Sequence, residues 1–102
     1  MNKLTIEAVA AEAARVADAA WQRLDGRVTD PQALRDVVAA LDEVRESLLK
    51  AGETASLQDG KLLAVIYANV DALQAQAVSH LHEVEIDCMA KAILMLGTKT
   101  LH

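Results

Sequence analysis

Between Lys61 and Leu96 the chain runs for 36 residues with neither glycine nor proline. Within it, Leu62, Ile66, Val70, Leu73, Ala77, Leu81, Val84, Cys88, Ala92 and Met95 recur at steps of three and four. That spacing places them along one side of a helix. If unbroken, the helix is about 54 Å long at 1.5 Å per residue.

The remaining residues must accommodate it. Ile6, Val9, Ala13, Val16, Ala20 and Leu24 predict a first helix over about 5–25, with Thr5 as its cap and Asp25-Gly26 as its stop. Leu34, Val37/Val38, Leu41, Val44 and Leu48 predict a second over 30–51. Its start is doubly marked. Thr29 and Gln32 fit a capping box, and Asp30 before Pro31 fits an Asp cap with proline in the first turn. Gly52 ends it, and Glu46 with Lys50 forms a suitably oriented i,i+4 pair. Ser56, with Asp59 three residues on, offers a cap that starts the third helix, over 57–96. Gly26, Pro31, Gly52, Gly60 and Gly97 are the expected breaks.

The expected fold is therefore all-α, an antiparallel bundle of three helices forming one domain over 1–102. The third helix is either long or broken in two, giving three or four. Helices of about 20 residues reach only about 30 Å. They cannot cover the third along its whole length. Either it bends near Ala77–His82, or its second half projects and buries its stripe on another chain.

Composition supports helices. Apolar residues make up 53% of the chain, yet Phe is absent and Trp21 and Tyr67 are the only aromatics. Most of the apolar content is alanine, leucine and valine, and the first two are strong helix formers. At 102 residues such a chain can sustain a core without disulfides or a structural metal. Cys88 is the only cysteine, which excludes an intrachain disulfide and favours a reducing compartment. On the apolar stripe, its thiol is expected to be buried and inert. Glu7, Glu12, Arg15 and Asp18 interrupt any apolar region a secretory leader would need. No apolar run is long enough to span a membrane. A cytoplasmic location is the expectation.

The net charge of -5, without a basic run, argues against nucleic-acid binding, which draws on lysine and arginine contacts to phosphates. Between Leu62 and Ala90 the ordinary charges are Asp71, Glu83, Glu85 and Asp87, all negative. They form a solvated face or one that steers a basic partner.

The segment Ser79–Asp87 gathers His80, His82, Glu83, Glu85 and Asp87. A period-two strand is one reading, but no other stretch offers it a mate. On a helix, His80, Glu83 and Asp87 share one side, whereas His82, two residues from His80, points about 200° away. One helix cannot collect this set around one zinc ion. A metal- or proton-responsive site at His80, His82, Glu83 and Asp87 stands as the alternative function. Ser79 beside His80 does not face it as a nucleophile would face its base. The glycines stand singly, with no phosphate loop. No catalytic residue, cofactor or metal is expected, and the chain does not read as an enzyme.

Residues 88–97 carry one charge, Lys91, while Met89, Ile93, Leu94, Met95 and Leu96 cover most of the helix circumference. A helix apolar on all sides is buried or meets a partner, and methionine suits adaptable surfaces. Met89, Ile93, Leu94, Met95, Leu96 and Val84 are the expected protein interface. Trp21 is either a further anchor or a core residue closing one end, and Tyr67 should lie half-buried with its hydroxyl in water. The expected function is a small non-catalytic regulator or adaptor that forms a homodimer and binds a protein partner of unknown identity. By class-level analogy, it would inhibit a larger regulator or enzyme by covering its working surface.

Overall fold

The computed structural model describes residues 6–26 and 28–100, of which 98–100 by their backbone alone. Three helices account for nearly all of them: α1 (Ile6–Asp25), α2 (Pro31–Gly52) and α3 (Leu57–Thr100). No strand occurs among the described residues, and Ser79–Asp87 is helical throughout. The protein is an all-α bundle whose helices run up, down and up. Arg35 of α2 meets Glu85 of α3 and Arg45 meets Gln74, so α2 and α3 are antiparallel.

Local chemistry sets the helix ends. Asp30 is extended and its carboxylate accepts a hydrogen bond from the Gln32 amide at 3.1 Å, with Pro31 supplying the first turn. Of the two overlapping cap signals, the Asp-Pro pair prevails. Ser56 Oγ accepts from the Asp59 amide at 3.2 Å and opens α3. The proposed Thr5 cap lies outside the described residues. Gly60 and Gly97 were expected as breaks, yet both lie inside α3. A helical glycine costs only about 1 kcal/mol relative to alanine. Strong helix formers on either side outweigh that.

The core follows a seven-residue step. Leu34, Leu41 and Leu48 are buried on α2, with Val37 and Val44 between them. On α3 the buried line is Leu63, Val70, Ala77 and Val84. Val9, Ala13 and Ala20 of α1 close the third side. A sustained heptad step keeps the seams of adjacent helices in register. Each fully buried leucine or valine is worth about 1.5–3 kcal/mol relative to exposure. The line starts at Leu63, not at Leu62, which is half exposed.

A polar bridge crosses the α2–α3 seam. Gln74 is buried, donating from Nε2 to the Val38 carbonyl at 3.1 Å and accepting from Arg45 Nη1 at 2.6 Å. Arg45 Nη2 donates to the Tyr67 hydroxyl at 2.8 Å, and the guanidinium lies 5.2 Å from the Tyr67 ring centre. The Tyr67 hydroxyl therefore meets Arg45, where the sequence suggested water. Glu46 and Lys50 do not pair. The ion pairs reaching from α2 to α3 are Arg45–Asp71 at 3.4 Å and Arg35–Glu85 at 3.6 Å.

α3 does not bend. It spans 44 residues as one helix and sets the 68 Å long axis of a molecule 24 and 22 Å across. Among its described side chains Val84 is the last that is buried, and every residue from Glu85 to Leu96 is exposed. Three expectations are thereby corrected. Cys88 is exposed. Ala92 and Met95 do not extend the buried stripe. Val84, assigned to the interface, belongs to the chain's own core. The common reason is length: α1 and α2 end at the level of Val84.

Candidate docking surface

The end of the bundle is fixed by two contacts to α3. His80 Nε2 lies 2.8 Å from the Val28 carbonyl in the α1–α2 connection. A carbonyl only accepts, so Nε2 carries the proton and donates. One helical turn further, Arg35 reaches Glu85. Beyond them α3 continues for a further 15 residues to Thr100, about 22 Å at the helical rise.

This projecting segment changes its apolar side. The line Val70–Ala77–Val84 leads on to Asp87 and Lys91, which charge the bundle-facing side. Ile86, Met89, Ile93 and Leu96 lie on the far side instead, about 120–200° around from Val84 at 100° per residue. Leu94 and Met95 lie close to the old line, so apolar groups border the segment on two sides. Ile86 is 50% exposed, and Met89, Ile93, Leu94, Met95 and Leu96 range from 60 to 69%. Soluble monomers rarely expose a contiguous apolar patch beyond about 300–600 Å². Six side chains of this size at that exposure offer on the order of 700 Å².

Trp21 is 52% exposed near the end of α1, at the end of the bundle from which α3 emerges. It does not close the core, and it stands outside the projecting segment.

The histidine cluster divides. His80 is directed at the α1–α2 connection, with Nδ1 4.0 Å from Glu83, and His82 is exposed. Among the described residues no three His, Cys, Asp or Glu side chains converge as metal ligands. His80 thus acts as a latch within the fold. The acidic flank is partly spoken for as well: Asp71 and Glu85 pair with Arg45 and Arg35. Asp87 faces solvent.

Arg45 and Gln74 are not among the candidate residues that the sequence suggests. Gln74 stands seven residues from both Tyr67 and Leu81 and shares their flank of the buried line. A polar residue at stripe spacing was the available signal. The hydroxyl of Tyr67, ahead of the carboxylates of Asp71 and Asp42, raises the pKa of the Arg45 guanidinium, while desolvation opposes it. Its Nε atom is buried without a hydrogen-bond partner. This group belongs to the α2–α3 seam and borders an open groove that runs past Ala75, Ser79 and His82.

No protein-family model, curated protein or solved structure matches the chain. No helix among the described residues is long and apolar enough to cross a membrane.

Proposed function

We propose that this protein is a small non-catalytic adaptor or regulator that dimerises and binds a protein partner through the apolar surface of its projecting helix. One observation carries the reading. Six large apolar side chains between Ile86 and Leu96 stand half or more exposed on a segment that α1 and α2 do not reach. Burying one such side chain fully is worth about 1.5–3 kcal/mol, and an amphipathic helix laid in a groove is an established mode of recognition. Binding of that kind blocks whatever surface the groove serves, which is how such a chain inhibits its target. The rival reading, a metal- or proton-responsive site at His80, His82, Glu83 and Asp87, has less behind it. His80 Nε2 is engaged by Val28, and His82 points elsewhere.

The test is a comparison of wild type with a Leu94→Asp/Met95→Asp double variant. A partner recovered from the native host is purified and titrated against both proteins. The reading expects a complex of defined stoichiometry with the wild type and at least about tenfold weaker binding by the variant. Equal binding by both removes the projecting helix from the function.

A further inference from the structure

The outward side of α3 carries a second line of residues. It starts at Val65, well inside the bundle half, and recurs at alternating steps of three and four as far as Leu96. All ten positions are exposed, and none is Asp, Glu, Lys or Arg. The line is small at first, with Ala68, Ala72, Ala75 and Ser79 after Val65, and large later, with Ile86, Met89, Ile93 and Leu96 after His82. Alternating steps of three and four hold a strip against one neighbouring helix, here for about 48 Å. α1 and α2 pack against the other side of α3; only Arg45 of α2 borders the strip, across the open groove past Ala75, Ser79 and His82, and all ten positions stay exposed.

We propose that this strip is a homodimer seam. α3 pairs antiparallel with α3 of a second copy, about a two-fold axis level with His80 and Leu81. The inference rests on the docking reading above and names a second copy of this chain as the occupant of this face. The order of side-chain sizes is the argument. In the antiparallel register Val65 faces Leu96, Ala68 faces Ile93, Ala72 faces Met89, Ala75 faces Ile86 and Ser79 faces His82. In the first four of these layers a smaller side chain meets a larger one, and the spacing falls in phase at every layer. The helix axes then keep one separation, and large groups fill the room that alanines leave. A parallel pair would stack alanine on alanine at one end and Ile or Met on its own copy at the other. Its axes would have to splay or leave voids.

Charge and area agree with this register. Beside the seam, Glu85 lies next to Val78 of the other copy, Glu83 next to Gln76 and Asp71 next to Ala92, so no two carboxylates meet. The large side chains and the surfaces they cover bury roughly 1,200–1,400 Å² over both copies, within the range of specific interfaces. Each projecting segment lies along the bundle half of its neighbour, an isologous contact that closes at two copies. Leu94 and Met95 lie off the seam.

The test uses the full chain in a Cys88→Ser background, with Ala75→Cys and Ile86→Cys made as separate proteins. The two are mixed in equal amounts and mildly oxidised, and the cross-linked species are weighed. The antiparallel seam predicts that the mixed 75–86 disulfide dominates and that each protein alone cross-links poorly. A third variant, Ala72→Glu, lies far from the projecting segment in its own chain. It should keep wild-type helicity and weaken dimerisation at least about tenfold, measured by sedimentation. Dominant 75–75 and 86–86 disulfides would overturn the register. A dimer indifferent to Ala72→Glu, or a monomer at all concentrations, would overturn the seam. Partner binding through Leu94 and Met95 is read separately, so either claim can fail while the other holds.

Discussion

The two halves of α3 are built from the same residue types in one unbroken helix, yet they have opposite surroundings. From Leu63 to Val84 one line of side chains is buried against α1 and α2, and Gln74, Tyr67 and Asp71 reach Arg45 across the seam. From Glu85 to Leu96 nothing is buried, although the apolar content is higher. The contrast separates two properties that helical periodicity confounds. Helix formation here follows local propensity and the lack of strong breakers. Burial follows from how far the shorter helices extend.

The comparison can be broken most forcefully in the core. Leu41→Ala should cost about 2–5 kcal/mol of folding free energy, because it empties a fully buried site. Ile93→Ala, an equally apolar truncation on the projecting half, should leave the denaturant midpoint almost unchanged at concentrations where the protein is monomeric. Urea titrations of both variants measure the difference, and equal losses would erase the distinction between the halves.

Gln74→Leu should cost about 1–3 kcal/mol, since it strips a hydrogen-bond partner from the partly buried Arg45. Gln76→Leu, two residues away and exposed, serves as the control and should be near neutral. The same denaturation experiment reads both.

Asp30→Ala should cost about 1 kcal/mol by removing the carboxylate that caps α2, whereas Thr29→Ala should cost less because Asp30 already holds the Gln32 amide. A thermal melt ranks the two.

The smallest effect concerns the boundary between the halves. Arg35 and Glu85 are each about half exposed, so Glu85→Gln should change stability by about 0–1 kcal/mol and by less in high salt. A loss of several kcal/mol, insensitive to salt, would show that the bundle extends further along α3 than Val84.

Much of this is legible in the sequence. The three helices, the Asp30 and Ser56 caps and the mismatch in helix length all follow from periodicity and capping chemistry. The phase of the α3 stripe was harder. Leu62 and Leu63 are adjacent, and both connect to Ile66 and Val70 by allowed steps, so only the strict heptad of the packed helices chooses Leu63. Gly60 and Gly97 looked like stops because the signal of a glycine is its type, whereas its effect depends on the neighbours. Periodicity puts Cys88 on the buried line because it records which face a residue occupies and not whether another helix reaches it. The Arg45–Gln74–Tyr67 bridge joins residues 22 to 29 apart in sequence, and no local pattern marks such a partnership. The second strip on α3 was masked by the first, since a helix apolar on two opposite sides has no single apolar face.

Cys88 gives the most direct test of the central claim, that α3 beyond Val84 receives no cover from α1 and α2. It is the only cysteine, it is exposed, and it lies off the proposed seam. Its reaction with a chromogenic disulfide is to be timed in native buffer and again in denaturant. The structure predicts that the folded protein reacts within about tenfold of the unfolded rate, at low and high protein concentration alike. A native thiol slowed by several hundredfold, and released only as the bundle unfolds, would place the segment inside the chain's own fold and contradict the account.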